Sequence, residues 1–211
     1  MGREVVSIPL PGGALLEAKL DGTPRRDAVL ICHPHPAFGG RMDTPLVAEL
    51  ARGFVDAGLA ALRFHYRGIE GSTGMATGGV EEHEDVLVAH RWLVEKGATR
   101  IAWIGYSFGA LMAVRALGEG RPAAFVGVAL PTGVVSGEPA RIAQVANAPA
   151  IAPTLFLTGS EDPLSDAVLM TQWVERKRIE ILDGESHTFT REGTRRIVAR
   201  AVGFVRDALP L

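Results

Sequence analysis

The chain has 211 residues, 47% of them hydrophobic, with a formal charge of −2 and a mean hydropathy of +0.16. That supplies a sizeable core, but no run approaches the roughly 18 apolar residues needed to span a bilayer, and the charge gives no electrostatic reason to expect nucleic acid or an anionic membrane as partner. Met1-Gly2-Arg3-Glu4-Val5 lacks the apolar stretch of a secretory signal, and the lone Cys32 excludes an internal disulfide and fits a reducing cytoplasm.

Short apolar runs alternate with helical patterns, which predicts a mainly parallel sheet covered on both faces. Glu4–Pro9 and Ala14–Leu20, separated by Pro11-Gly12-Gly13, read as an antiparallel hairpin. Ala28–Cys32 is a buried strand that ends at a proline-rich loop, and Thr44–Ala57 a helix with Pro45 in its first turn, where a missing N–H costs least. Ala60–His65 is the next strand, followed by a glycine-rich loop through Gly79 and a helix over Val80–Lys96. A strand around Ile101 leads into a further helix, then a strand at Phe125–Leu130. Pro131–Pro153 reads as a connection with at most one small helix. Thr154–Thr158 and Arg178–Leu182 are the last strands, with helices at Ser165–Trp173 and Thr190–Ala208. No repeat or long linker divides the pattern, so one domain over 1–211 is expected.

The most informative segment is Ile101-Ala102-Trp103-Ile104-Gly105-Tyr106-Ser107-Phe108-Gly109-Ala110. An apolar strand running into Gly-x-Ser-x-Gly and then a helix is the layout of a nucleophile elbow. The serine takes a strained conformation at the apex, so the positions two away on either side must lack colliding side chains. Gly105 and Gly109 meet that need, and Ser107 is the candidate nucleophile.

A serine hydroxyl is a poor nucleophile at neutral pH and needs a base within hydrogen-bond reach; the base needs an acid to fix its tautomer. Asp162 follows the penultimate strand in Gly159-Ser160-Glu161-Asp162-Pro163, and His187 follows the last in Asp183-Gly184-Glu185-Ser186-His187. In a parallel sheet the C-terminal strand ends share one edge, where ligand sites gather. Ser107, Asp162 and His187 are therefore expected to converge as a triad. Asp162 is favoured by its place before Pro163 at the turn; Glu161 and Asp166 are the competing carboxylates.

Cys32-His33-Pro34-His35-Pro36-Ala37-Phe38-Gly39-Gly40 lies where half of an oxyanion hole is expected. The two prolines carry no N–H, which leaves His35, Ala37 and Phe38 as donors near the turn. His35 is the choice, with the N–H of Phe108 as the other half. His33 and His35 as a metal pair lack an obvious third ligand, so no metal is expected and His33 should hydrogen-bond to loop backbone. Phe38, Tyr106, Phe108 and Phe189 are candidates to line an acyl pocket. Arg67 either ties its glycine loop together or meets an anionic substrate group.

His33-Pro34-His35-Pro36 with Gly39-Gly40, Arg63-Phe64-His65-Tyr66-Arg67-Gly68 with Gly71-Ser72-Thr73-Gly74, and Gly105-Tyr106-Ser107-Phe108-Gly109 together resemble the small, lidless α/β-hydrolases related to dienelactone hydrolases and short-chain carboxylesterases. The resemblance runs from about Val29 to the terminal helix. It implies an α/β-hydrolase fold without a sizeable lid, a serine triad and no cofactor. The family often has Asn or Asp where His65 stands. Dienelactone hydrolases proper use a cysteine where Ser107 stands, so their substrate is not carried over. The expected activity is hydrolysis of small carboxylic esters, with thioesters and amides open to the same machinery; a non-catalytic protein that binds small molecules in the pocket is the alternative. A small-molecule partner is expected, and a homodimer is left open.

Overall fold

The computed structural model describes residues 2–210. Eight strands form one sheet: β1 (Arg3–Pro9), β2 (Leu15–Asp21), β3 (Asp27–Cys32), β4 (Ala60–Phe64), β5 (Arg100–Tyr106), β6 (Ala124–Val128), β7 (Thr154–Gly159) and β8 (Ile179–Leu182). Their order is β1-β2-β4-β3-β5-β6-β7-β8. The β1–β2 and β2–β4 pairs are antiparallel and the rest parallel. This is the α/β-hydrolase fold with its N-terminal antiparallel hairpin.

Burial follows position in the sheet. Strands β4 and β6 are buried at every residue and β3 and β5 at all but the first, as expected for parallel strands covered on both faces. Strand β2 alternates, sending Leu16, Ala18 and Leu20 inward, while β1 is a mostly exposed edge bearing Arg3, Glu4 and Pro9, residues that discourage pairing with another chain.

The helices are α1 (Pro45–Asp56), α2 (Glu82–Glu95), α3 (Phe108–Ala116), α4 (Thr132–Ser136), α5 (Pro139–Ile151), α6 (Ala167–Met170) and α7 (Arg191–Ala208). On one face, Leu46, Val47, Leu50 and Phe54 of α1 join Ile197, Ala201 and Val205 of α7 over Val29, Ile31, Ile104 and Val126. On the other, α2, α3 and α5 cover Leu30, Leu62, Trp103 and Phe125. Each fully buried aliphatic or aromatic side chain in these layers contributes about 1.5–3 kcal/mol.

Two expectations need correction. The 131–153 connection holds two helices rather than at most one. Pro139 sits in the first turn of α5, where proline is tolerated, and an alanine-rich run follows that seats Val145 and Ala148 in the core. Pro149 comes only in the last turn, too late to break the helix. Conversely, the helix expected over Ser165–Trp173 shrinks to α6. The N–H groups of Leu164 and Ser165 donate to Asp162 instead, and Asp166 caps the helix by accepting from Val168 and Leu169.

Candidate active site

Ser107 stands between β5 and α3 with φ 53° and ψ −116°, a sparsely populated conformation for a residue with a side chain. Its N–H donates to Val128 O at 2.8 Å, which ties the apex to the neighbouring strand. A Cβ on Gly105 would come within 2.4 Å of Ala110 Cα, and one on Gly109 within 2.2 Å of Cys32 O. The two glycines thus serve two close approaches: α3 onto its own strand, and α3 onto the end of β3.

From that apex a chain of contacts runs outward. Ser107 Oγ lies 2.8 Å from His187 Nε2, and His187 Nδ1 lies 2.9 and 2.8 Å from the two Asp162 oxygens. With Nδ1–H donating to the carboxylate, Nε2 is left as the acceptor for the serine proton. The Asp162 side chain is fully buried, and its Oδ1 also accepts from the N–H groups of Leu164 and Ser165. Of the competing acids, Asp166 is spent on capping α6, and Glu161 makes no hydrogen bond or ion pair with His187 among the described residues. Tyr106 Oη donates to His187 O at 2.8 Å, and Glu185 accepts from Thr190 N and Oγ1, so the histidine loop is held at both ends.

The loop after β3 reduces three donors to one. Ala37 N–H donates to His35 Nδ1, and Phe38 N–H to His35 O. Gly39 and Gly40 N–H groups are likewise taken, by Pro36 O and His35 O. Among the described residues, His35 N–H and Phe108 N–H have no acceptor. Unpaired donors at a helix start and a stiffened turn are suited to a developing negative charge.

His33 donates from Nδ1 to Pro34 O at 2.7 Å, the loop-backbone contact expected of it. Burial pushes it down to about 3 from an ordinary 6.5. A histidine kept neutral in the fold gives full stability above 6.5; as pH falls toward 3, the unfolded chain takes a proton that the folded one refuses. Unfolding free energy is therefore expected to drop through that window, with His33 contributing up to about 1.4 kcal/mol per pH unit. Urea titrations at several pH values should give a flatter profile for His33→Asn; an unchanged slope would exclude His33 as a source. Burial also pushes the Cys32 thiol up to about 12, which removes it as a nucleophile.

A cavity of about 590 Å³ opens over Ser107, within the size range of small-ligand sites. Phe38, Tyr106, Phe108 and His187 line it, and Phe38 is 89% exposed at its rim. Two expected substrate contacts do not reach it. Phe189 belongs to the layer under α7 and borders an adjoining groove. Arg67 is drawn the other way, bonded to Asp85, Glu81 and Glu84 around α2.

The X-Pro dipeptidyl-peptidase (S15 family) model matches residues 16–137, more than half of the chain. The chain belongs to the S15 family. Over its whole length this S15-family chain superposes on Xanthomonas campestris XC6422, an α/β serine hydrolase without a lid, with a TM-score of 0.84 at 22% identity, covering 97% of that chain. An α/β serine hydrolase homologue from Coxiella burnetii gives 0.82 at 26% identity, covering 96% of this chain and 97% of that one. The Pyrococcus furiosus esterase Pf2001 gives 0.79 at 19%, covering 98% and 92%. The uncharacterised Rickettsia prowazekii protein RP471 is 35% identical over 95 residues, 44% of this chain; the match spans about two fifths of that protein's length.

The S15-family chain adds cavity walls that the sequence did not suggest. Pro131, Val134 and Arg141 come from the connection containing α4 and α5, and Leu164 from the turn after Asp162. The available signal was Pro139 ahead of an alanine-rich run, a helix start inside a segment that reads as irregular.

Proposed function

We propose that the chain is a serine hydrolase that cleaves small carboxylic esters through an acyl-enzyme, with Ser107 as nucleophile, His187 as general base and acid, and Asp162 orienting the imidazole. The observation that carries this reading is the unbroken Ser107–His187–Asp162 hydrogen-bonded chain beside two free backbone donors. As Ser107 Oγ attacks the ester carbonyl, its proton passes to His187 Nε2, and the carbonyl oxygen becomes an oxyanion facing the N–H groups of His35 and Phe108. Asp162 stabilises the imidazolium that forms. Collapse breaks the bond to the alcohol, which leaves with the proton from Nε2. Water then gives a proton to Nε2 as it attacks the acyl-enzyme; the bond to Ser107 Oγ breaks, Oγ takes that proton back from Nε2, and the acid leaves. Thioesters fit the same steps.

The family's described specificity, dipeptides released from X-Pro chains, is less well supported here. A free N-terminal ammonium calls for a carboxylate in the site, and among the described residues no Asp or Glu lines the cavity. The partner is a small molecule on this reading; no helix among the described residues is long and apolar enough to cross a membrane.

The test is labelling of native protein with a fluorophosphonate, mapped by mass spectrometry, beside His187→Ala and heat-denatured controls. An adduct on Ser107 that both controls lose is the expected result. Folded native protein that takes no label would instead favour a pocket used only for binding.

A further inference from the structure

Among the described residues, one that lines the cavity over Ser107 carries a permanent charge. Its ionisable lining is His35, Tyr106, His187 and Arg141, and only the last is a fixed cation. Arg141 projects from the first turn of α5, and its side chain is only 13% exposed. One guanidinium edge meets Glu138 at 2.7 Å, a carboxylate on an exposed side chain one turn back. The Nε is buried with no acceptor. A guanidinium with five donors held in so apolar a setting, with one exposed carboxylate as its partner, is poorly satisfied, and buried N–H groups without acceptors are costly.

Much of the cavity wall is apolar. Phe108, Leu111 and Met112 form one side of α3 facing the cavity, and α3 packs against α5. Ser107 and Arg141 line the same cavity, and Phe108, Leu111 and Met112 give its wall hydrocarbon. Arg67, the other arginine considered for an anion, is already surrounded by three carboxylates and does not line the cavity.

We propose that Arg141 is the anion-recognising residue of this cavity and that the ester hydrolysed at Ser107 carries a carboxylate at the far end of a short hydrocarbon chain, as in a half-ester of a dicarboxylic acid. The inference rests on the esterase reading for its reaction but not for its binding site. The carboxylate sits on the acyl or on the alcohol side of the ester, and the substrates below separate these two sources.

The experiment compares para-nitrophenyl half-adipate (anionic acyl group) and the acetate ester of a hydroxyhexanoate (anionic leaving group), each beside its neutral methyl ester. The expected result is that, on one arm, the ratio of kcat/KM for anionic over neutral ester falls about tenfold or more in Arg141→Met and is partly kept in Arg141→Lys. Glu138→Gln, which frees the guanidinium, raises that ratio; a misfolded variant cannot produce a gain. Binding is read separately by calorimetry in Ser107→Ala, where monomethyl adipate is expected to bind about tenfold more tightly than dimethyl adipate, a difference lost with Arg141→Met. Equal binding of the two in Ser107→Ala, or an anionic-to-neutral ratio that ignores Arg141 on both arms, overturns the proposal. If no ester is turned over and Ser107 takes no label, yet Ser107→Ala still discriminates, the esterase reading fails and the anion site stands.

Discussion

Replacing Ser107 by alanine is expected to lower kcat/KM for para-nitrophenyl acetate by about 10⁴-fold or more, with thermal unfolding little changed. On the proposed mechanism no acyl-enzyme forms without Oγ, and only the backbone donors and substrate binding would remain. His187→Ala should cost about as much, because a serine without its base is not activated at neutral pH. The double variant should be scarcely worse than either single one, since residues acting as a unit are far from additive. Asp162→Asn tests the third member. It leaves the turn geometry in place but presents an amide to Nδ1, so the imidazole adopts the wrong tautomer; a loss of about 10³–10⁴ is expected. Steady-state kinetics on folded variants check all four. If Ser107→Ala kept more than about a hundredth of the activity, the nucleophile would lie elsewhere.

The second large effect concerns stability rather than catalysis. Arg67→Met is expected to destabilise the fold by about 3–5 kcal/mol, because it strands a buried carboxylate. Asp85 has no exposed side-chain surface and accepts from both the backbone N–H and Nε of Arg67. Glu81 and Glu84 approach the same guanidinium from outside, about half exposed, and add much less. For a chain of this length the loss corresponds to roughly 10 °C in Tm. Adding Asp85→Asn should recover part of it, since the amide still accepts from the backbone N–H of residue 67 without leaving an uncompensated charge. Calorimetric unfolding of the three proteins gives the result. An Arg67→Met variant with unchanged Tm but a raised KM would return this residue to the substrate site.

The comparison of these two sites shows what local sequence can carry. The nucleophile elbow is legible because its constraint is local: a strained serine between a strand and a helix demands small residues two positions away on each side, so the requirement is written within five residues. The convergence of Asp162 and His187 is almost as legible, because parallel strands deliver their C-terminal ends to one edge whatever the details of packing. Burial patterns gave most strand positions for the same reason. Where side chains compete for backbone, legibility fell. The turn formed by Asp162 consumed the N–H groups that would have begun an earlier helix, and the three candidate donors after β3 became one only once the turn at Pro36–Phe38 had used the others.

By itself, then, the sequence determined the sheet, the sharp strand-to-helix turn at Ser107, and the order of Ser107, Asp162 and His187 along one edge, since each follows from periodicity or from steric demands over a few residues. The tertiary structure decided which N–H stays free, that Arg67 turns to Asp85, and that Arg141 stands in the cavity. An arginine side chain is long and flexible, and its partner is whichever carboxylate or cavity the packing of α2 or α5 brings within reach. That depends on residues far apart in the chain, which no local pattern encodes.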